Sequence, residues 1–334
     1  MAGIQTMAFG QPRTPQVTDA PPPFDKPTAD IILRSSDRVD FRVKKAILSE
    51  TSWFFDTMFT LPQPSLIAGE MKRIRANGLE TELKDGLAVV HITEDSRTID
   101  CLLRICYPLR NPVITDLSEL RRLLTSATKY AMDEAVEILR ERLYNLAQEI
   151  PLQVYAVAIQ FNFEKEAREA AKYFLACKTP VMYVPELEEI SGGVYQRLLD
   201  YRTRCGKEAT RLVSSEMGWL PREDWPWFSC PNGGEPCAIK AGVTVTFRFN
   251  GGGRIRRGYP KMWWWQHVHR MACVLEATPC GKMLYTTSLM DQALQDAAAC
   301  PRCRVTAPAK LRRFMDLLAV EVDRVVSQVE LEIK

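Results

Sequence analysis

The stretch from Phe41 to Phe59, Phe-Arg-Val-Lys-Lys-Ala-Ile-Leu-Ser-Glu-Thr-Ser-Trp-Phe-Phe-Asp-Thr-Met-Phe, constrains the chain most. It reads as a short strand running directly into two tight, aromatic-rich helices. Upstream, Ala29 to Ser35 forms one strand, Ser35 to Arg38 a turn, and Val39 to Val43 a second, alternating strand, which together make a hairpin. The aromatics Phe41, Phe54, Phe55 and Phe59 are expected in a core, because large aromatic side chains are usually buried.

The chain has 334 residues, which suggests two domains. Apolar residues make up 46% and charged residues 25%, and the net charge is +3, so no strong overall field points to nucleic acid or membrane. No apolar run reaches the length of a membrane-spanning helix. Residues 1–23 lack an apolar signal core and carry Pro12, Pro15 and Pro21 to Pro23. They are expected to be a disordered tail, and the chain is expected to be intracellular, in cytoplasm or nucleus. In that setting the ten cysteines are read as reduced thiols or metal ligands rather than disulfides.

Downstream of Phe59, residues 62–86 are polar, rich in Pro and Gly, and read as an insertion loop. Leu87 to Thr93 is a strand. Asp95 and Ser96 cap a helix that carries Ile99, Leu102, Leu103 and Cys106 on one face and stops at Pro108. Leu117 to Glu149 is a helical pair, with Leu120, Leu123, Leu124, Ala127 and Tyr130 on one stripe and Val136, Leu139, Leu143 and Leu146 on the next. More helices follow: Pro151 starts one, Ala167 to Phe174 lies on another, and Pro185 to Val213 holds a third.

In order and spacing, Asp30, Phe41, Ala46, Leu48, Ser52, Phe55, Met58 and Phe59, then Val90, Ile92, Leu103 and Tyr107, then Leu120, Leu124, Ala127 and Tyr130 resemble the signature of BTB/POZ domains. The wording Pro-Phe-Asp-Lys-Pro-Thr-Ala-Asp-Ile-Ile-Leu and Glu-Asp-Ser-Arg-Thr is most similar to fungal BTB-domain proteins. The resemblance spans roughly residues 24–149. It implies a protein-interaction module rather than an enzyme, self-association, and, through the helices of residues 151–213, a BACK-type extension that helps hold a cullin scaffold in ubiquitin ligase adaptors. Residues at the Asp30 and Lys45 positions lie in a charged partner pocket in some members of the family. In this chain a local role is favoured for them: Asp30 accepting from nearby backbone N–H groups and Lys45 as a solvated charge. Two positions depart from the pattern, Lys44 for His and Pro108 for Thr. A Pro-rich tail also stands where strand-exchanging members carry a helix and a strand, which argues against that mode of dimerisation.

The composition then changes. Six of the seven tryptophans lie between Trp219 and Trp265, and six of the ten cysteines between Cys230 and Cys303. Cys300-Pro-Arg-Cys303 is a Cys-x-x-Cys knuckle, a spacing that brings two thiolates onto one zinc ion at about 2.3 Å. Cys230 and Cys237 flank a Pro-Asn-Gly-Gly-Glu-Pro turn and complete the expected set of Cys230, Cys237, Cys300 and Cys303. Cys280 is the first substitute, and His267 and His269 are nearby alternatives. The competing reading is four buried reduced thiols. A redox Cys-x-x-Cys of thioredoxin type is disfavoured, because that motif needs a βαβ context with its first Cys at a helix N-terminus and here the pair precedes Val-Thr-Ala-Pro, which reads as a linker.

Residues 236–275 contain no Asp or Glu but seven Lys and Arg, and Trp263, Trp264 and Trp265 lie among them. A nucleic-acid-associated regulator is therefore the alternative to an interaction module, with tryptophans buried in a core as the favoured account. Leu311, Met315, Leu318, Val322, Val325 and Val329 form the seam of a last amphipathic helix, expected to pack on its own domain.

The expected class is α+β: a disordered tail (1–23), a BTB/POZ domain of small sheet and helical bundle (24–149), a helical extension (150–214), a smaller Cys/Trp-rich α+β domain with a candidate structural zinc (215–305), and a C-terminal amphipathic helix (306–334). The expected role is a self-associating protein-interaction adaptor with no catalytic residues. Its partners are proteins, a cullin scaffold among them, with no membrane role.

Overall fold

The computed structural model describes residues 16–61, 74–76, 79–114, 116–178, 182–213, 217–220, 237, 245–248, 255–258 and 261–333. The chain divides into two compact units, Met1–Leu143 and Tyr144–Lys334.

The first unit is built on a sheet of order β1-β3-β2-β6-β5-β4. Its centre is the expected hairpin of β2 (Ile31–Arg34) and β3 (Val39–Val43), antiparallel with Ile31 opposite Val43 and Arg34 opposite Asp40. The turn closes through Ser35, whose Oγ accepts the Val39 N–H at 2.8 Å, while Arg38 takes a positive φ of 65°. All four residues of β2 are buried, as expected of a strand paired on both sides. On one side it pairs with β3 and on the other with β6 (Leu87–His91), in parallel.

Two expectations change here. Residues 18–19 form β1 (Thr18–Asp19), parallel to β3 with Thr18 opposite Val39, and Ala20 and Phe24 are buried. The disordered tail therefore does not extend to residue 23. Ordering entropy is offset because the Thr18 and Ala20 N–H groups bond to the Arg38 and Asp40 carbonyls at 3.0 and 2.9 Å. Residues 62–86, expected as a loop, contain β4 (Ile74–Ala76) and β5 (Leu79–Lys84). Strand β5 pairs antiparallel with β6 across Asp85 and Gly86, at φ 51° and 76°. Asp-Gly in the left-handed region is the turn whose twist matches a two-residue hairpin.

Helices α1 (Lys45–Thr51) and α2 (Trp53–Thr60) are separated by Ser52 alone. Its Oγ accepts from the Phe55 N–H at 3.1 Å and donates to the Tyr130 carbonyl at 2.6 Å, so one buried hydroxyl starts α2 and ties it to the helices that follow. These are α3 (Ser96–Cys106), α4 (Leu117–Lys129) and α5 (Asp133–Leu146). Asp95 caps α3 by accepting from the Thr98 N–H at 2.7 Å, as expected, and α3 gives way to extended backbone at Tyr107. Phe24, Ile32, Phe41, Leu48, Phe55, Leu103 and Leu120 are all buried.

The second unit is mostly helical: α6 (Pro151–Gln160), α7 (Glu164–Phe174), α8 (Gly192–Arg211), the hairpin β7 (Val245–Arg248) and β8 (Ile255–Gly258), then α9 (Met262–Ala277), α10 (Thr287–Ala298) and α11 (Pro301–Ser327). Composition divides this half at 214 and 305, but its packing crosses both divisions. Helix α8 lies so close to α9 that a Cβ on Gly206 would stand 2.7 Å from the Glu276 carbonyl oxygen. A Cβ on Gly281 would stand 2.6 Å from the Ala319 carbonyl oxygen of α11.

The last helix begins at residue 301 rather than 306 and runs through Pro308, so Val305-Thr-Ala-Pro308 is helical and not a linker. An interior proline costs about 3 kcal/mol. Here the buried stripe continues on both sides of it, through Cys303, Ala307, Leu311, Phe314, Met315 and Leu318. Fully burying a Leu, Phe or Met contributes roughly 1.5–3 kcal/mol each, which outweighs the break. The expected seam residues Leu311, Met315, Leu318 and Val322 face inward on their own unit.

Candidate functional site

The outward face of the first unit is made by α2. The segment Trp-Phe-Phe-Asp-Thr-Met-Phe-Thr sets Phe54, Met58, Phe55 and Phe59 on one arc and Asp56, Thr57 and Thr60 on the other, with Trp53 among the polar three. With Ser52 setting the helix phase, Phe55 goes inside, stacked on Tyr130 at a centroid distance of 5.3 Å. Phe41 is buried as expected. Phe54, also expected in the core, is 40% exposed and touches Phe55 and Tyr130 only edge-on, both at 5.4 Å. Trp53 is 73% exposed, and Leu61, just past the helix, 58%. Trp53 had no assigned role from sequence. The available signal was its place among Asp56, Thr57 and Thr60 at helical spacing.

Asp30 and Lys45 meet, but through the backbone of Lys45: its N–H donates to Asp30 Oδ1 at 2.7 Å. Asp30 thus serves the start of α1, where Lys44 contributes no side-chain cap. The Lys45 ammonium lies 5.6 Å from the Phe59 ring centroid. Tyr107 accepts the Lys44 N–H at 2.8 Å, so the two positions flanking this helix start are both tied down.

A charged network links the strands of the sheet. Asp40, fully buried, accepts from Arg34 at 2.6 and 3.0 Å and from Lys84 at 2.7 Å, while Arg34 also reaches Glu82 at 2.6 Å. Burial alone would raise the Asp40 carboxyl; the bonds from Arg34 and Lys84 outweigh it and hold the group below the ordinary range. The network anchors β3 against β2 and β5.

In the second unit, Cys237, Cys300 and Cys303 are buried, and their sulfurs all lie within 4.8 Å of one another. Cys237 and Cys303, 66 residues apart in sequence, are 3.5 Å apart at sulfur. Cys300 is the residue that opens α11, and the Met262 N–H at the start of α9 bonds to the Cys237 carbonyl at 3.1 Å. The group therefore sits where two helices begin. The Cys303 backbone N–H, and next the Cys237 thiol, pull the Cys300 thiol down to about 6. Cys230, the fourth thiol of the expected set, lies outside the described residues. Among the described residues neither Cys280, His267 nor His269 joins the group.

His267 is fully buried on α9, with neither ring nitrogen finding a hydrogen-bond partner among the described residues. Burial, and then the nearby Arg270 charge, press its pKa down to about 4. His269 stands edge-on to Trp265 at 4.6 Å. Trp263 and Trp264 are buried, the latter against Phe314 at 5.7 Å, so neither offers a face for stacking on bases. Lys261 is also buried, and Arg270 pairs with Asp296 at 2.7 Å. Trp263 and Trp264 are thus core residues, as favoured, while Trp265 is half-buried and the side chains of Lys240, Arg248, Arg254, Arg256 and Arg257 lie outside the described residues.

Comparison with curated proteins gives no match to the chain. The family model of the BTB/POZ domain matches residues 24–146, the stretch from the buried Phe24 to the end of α5. A BTB/POZ domain supports protein–protein interaction and frequent self-association rather than catalysis. Residues 24–146 of this chain are a BTB/POZ domain, a mixed α and β fold followed by further helices.

Proposed function

We propose that the chain is an adaptor whose BTB/POZ domain binds protein partners through the outward face of α2, with self-association among its uses. The carrying observation is the pair Trp53 and Phe54, 73% and 40% exposed on a helix whose phase Ser52 sets. An apolar patch left in water on a well-anchored element keeps its driving force for association. Tryptophan is also the residue most often found to dominate an interface. The narrower reading, recruitment of a partner to a cullin-type scaffold, is supported by the BTB/POZ match and by the helices α6 to α8 that follow it.

The test compares the full chain with a Trp53→Asp, Phe54→Asp variant. Mass is measured by light scattering over a concentration series, binding by titration with a recombinant cullin N-terminal domain, and other partners by quantitative affinity capture. Trp53 faces water and Phe54 makes only edge contacts with Phe55 and Tyr130, so circular dichroism checks that the fold is kept, and Trp53→Asp alone serves if the double variant is destabilised. Losing two contacts of roughly 2 kcal/mol each weakens association at least tenfold. Equal masses together with equal partner recovery in the two proteins would refute the proposal. Loss of self-association or of other partners without any cullin binding would keep the adaptor and remove the scaffold.

A further inference from the structure

We propose that Cys237, Cys300 and Cys303 bind a structural zinc ion that joins the segment before α9 to the start of α11. The geometry comes first. Tetrahedral zinc with sulfur at about 2.3 Å places neighbouring sulfurs about 3.8 Å apart. The Cys237 and Cys303 sulfurs stand 3.5 Å apart, and all three sulfurs lie within 4.8 Å. A disulfide needs about 2.05 Å, and none of the three thiols is in a disulfide among the described residues. Thiols from two segments of the chain, 66 residues apart between Cys237 and Cys303, have converged at the spacing of a shared ion.

Burial comes second. Relative exposures of 5%, 4% and 1% exclude solvent from the group, which is the mark of a structural rather than a catalytic zinc site. An all-sulfur group selects a soft or borderline ion and disfavours magnesium, calcium and manganese.

Electrostatics comes third. Thiolates are favoured at the positive end of a helix, and Cys300 opens the long helix α11 with Cys303 in its first turn. Three described thiolates leave the ion one more ligand to take, and counting thiolates in the experiment identifies its class. This inference does not depend on the interaction role of the first unit.

The experiment measures zinc by mass spectrometry in the purified full chain, beside Cys303→Ser and, as a control, Cys273→Ser at an exposed position. About one zinc per chain is expected in the wild type and control, with loss in Cys303→Ser. If Cys303→Ser does not fold, the wild type answers alone. Chelation should release the zinc and lower the melting temperature, and added zinc should restore it. Cobalt exchange should give a sulfur-to-cobalt charge-transfer band whose intensity counts three or four thiolates. Background zinc with no cobalt band overturns the proposal, as does a Cys237–Cys303 disulfide in peptide mapping of protein prepared without oxidant. Zinc retained in Cys303→Ser overturns this ligand set.

Discussion

Arg202 supports a quantitative prediction. It lies on α8 at 7% exposure, and its guanidinium meets only carbonyl oxygens. It donates to Phe174 at 2.7 Å, to Cys177 at 2.5 Å, and to Ala277. Phe174 ends α7 and Ala277 ends α9, so one cation serves the negative ends of two helices, 5.3 Å from the Phe174 ring. Burial lowers its pKa, but arginine remains charged at neutral pH. Arg202→Met keeps comparable apolar bulk and removes the donors. The Phe174 carbonyl retains the Cys177 N–H at 3.1 Å, whereas the Cys177 and Ala277 carbonyls lose this donor. Cys177 is half-buried and Ala277 exposed, so water takes over part of the lost bonding, and the substitution should cost about 1–3 kcal/mol. At about 2–4 °C per kcal/mol, the melting temperature of the second unit falls by roughly 2–12 °C. Tryptophan fluorescence in urea reads mainly that unit, because six of the seven tryptophans lie between residues 219 and 265. Arg202→Lys, with its charge but no fork, should lose an intermediate amount. A stability of Arg202→Met within about 0.5 kcal/mol of wild type would refute the reasoning, since no ordinary surface change costs more than that.

His267 gives a pH signature: its ordinary value of 6.5 falls to about 4 in the folded chain, so between those limits the unfolded state alone takes up the proton. The second unit should keep full stability above pH 6.5 and lose up to about 3 kcal/mol as pH falls toward 4, a slope that His267→Leu abolishes. A flat difference curve between the two proteins would contradict the buried neutral imidazole. Asp40 acts in the first unit. Asp40→Asn leaves Arg34 and Lys84 facing a neutral group and should cost about 3–5 kcal/mol at pH 7, read by hydrogen exchange in β2 and β3. Because the Asp40 carboxyl is held below its ordinary 3.8, its contribution is present above that pH and lost on acidification through the lower folded value. Unchanged exchange in the variant would show that the network is dispensable.

The first unit was largely legible because its signals are local. The Ser35–Arg38 turn, the Asp95 cap and the spacing of Leu120, Leu124 and Ala127 each act within a few residues, and all appear as expected. Strands β4 and β5 were missed because Pro and Gly around them read as loop. What makes β5 a strand is its partner β6 and the Asp85-Gly86 turn, not its own composition. Trp53 and Phe54 are a different case: Asp56, Thr57 and Thr60 mark the outer side of α2 with Trp53 among them, whereas Phe54 lies at the edge of the apolar arc, where its exposure depends on the rotation that sets the inner face. The Ser52 hydroxyl, tied to the Tyr130 carbonyl, chooses it.

By itself, then, the sequence determined the BTB/POZ order of elements, the caps and turns that bound them, and which helices carry apolar stripes. These depend on backbone sterics and on hydrogen bonds between near neighbours in the chain. Only the tertiary structure decided that α11 runs through Pro308, that Arg202 serves the ends of two other helices, and that Cys237 meets Cys303 across 66 residues. Each of these is a balance between a local cost and burial supplied by distant residues, and no window of the chain contains both sides of it.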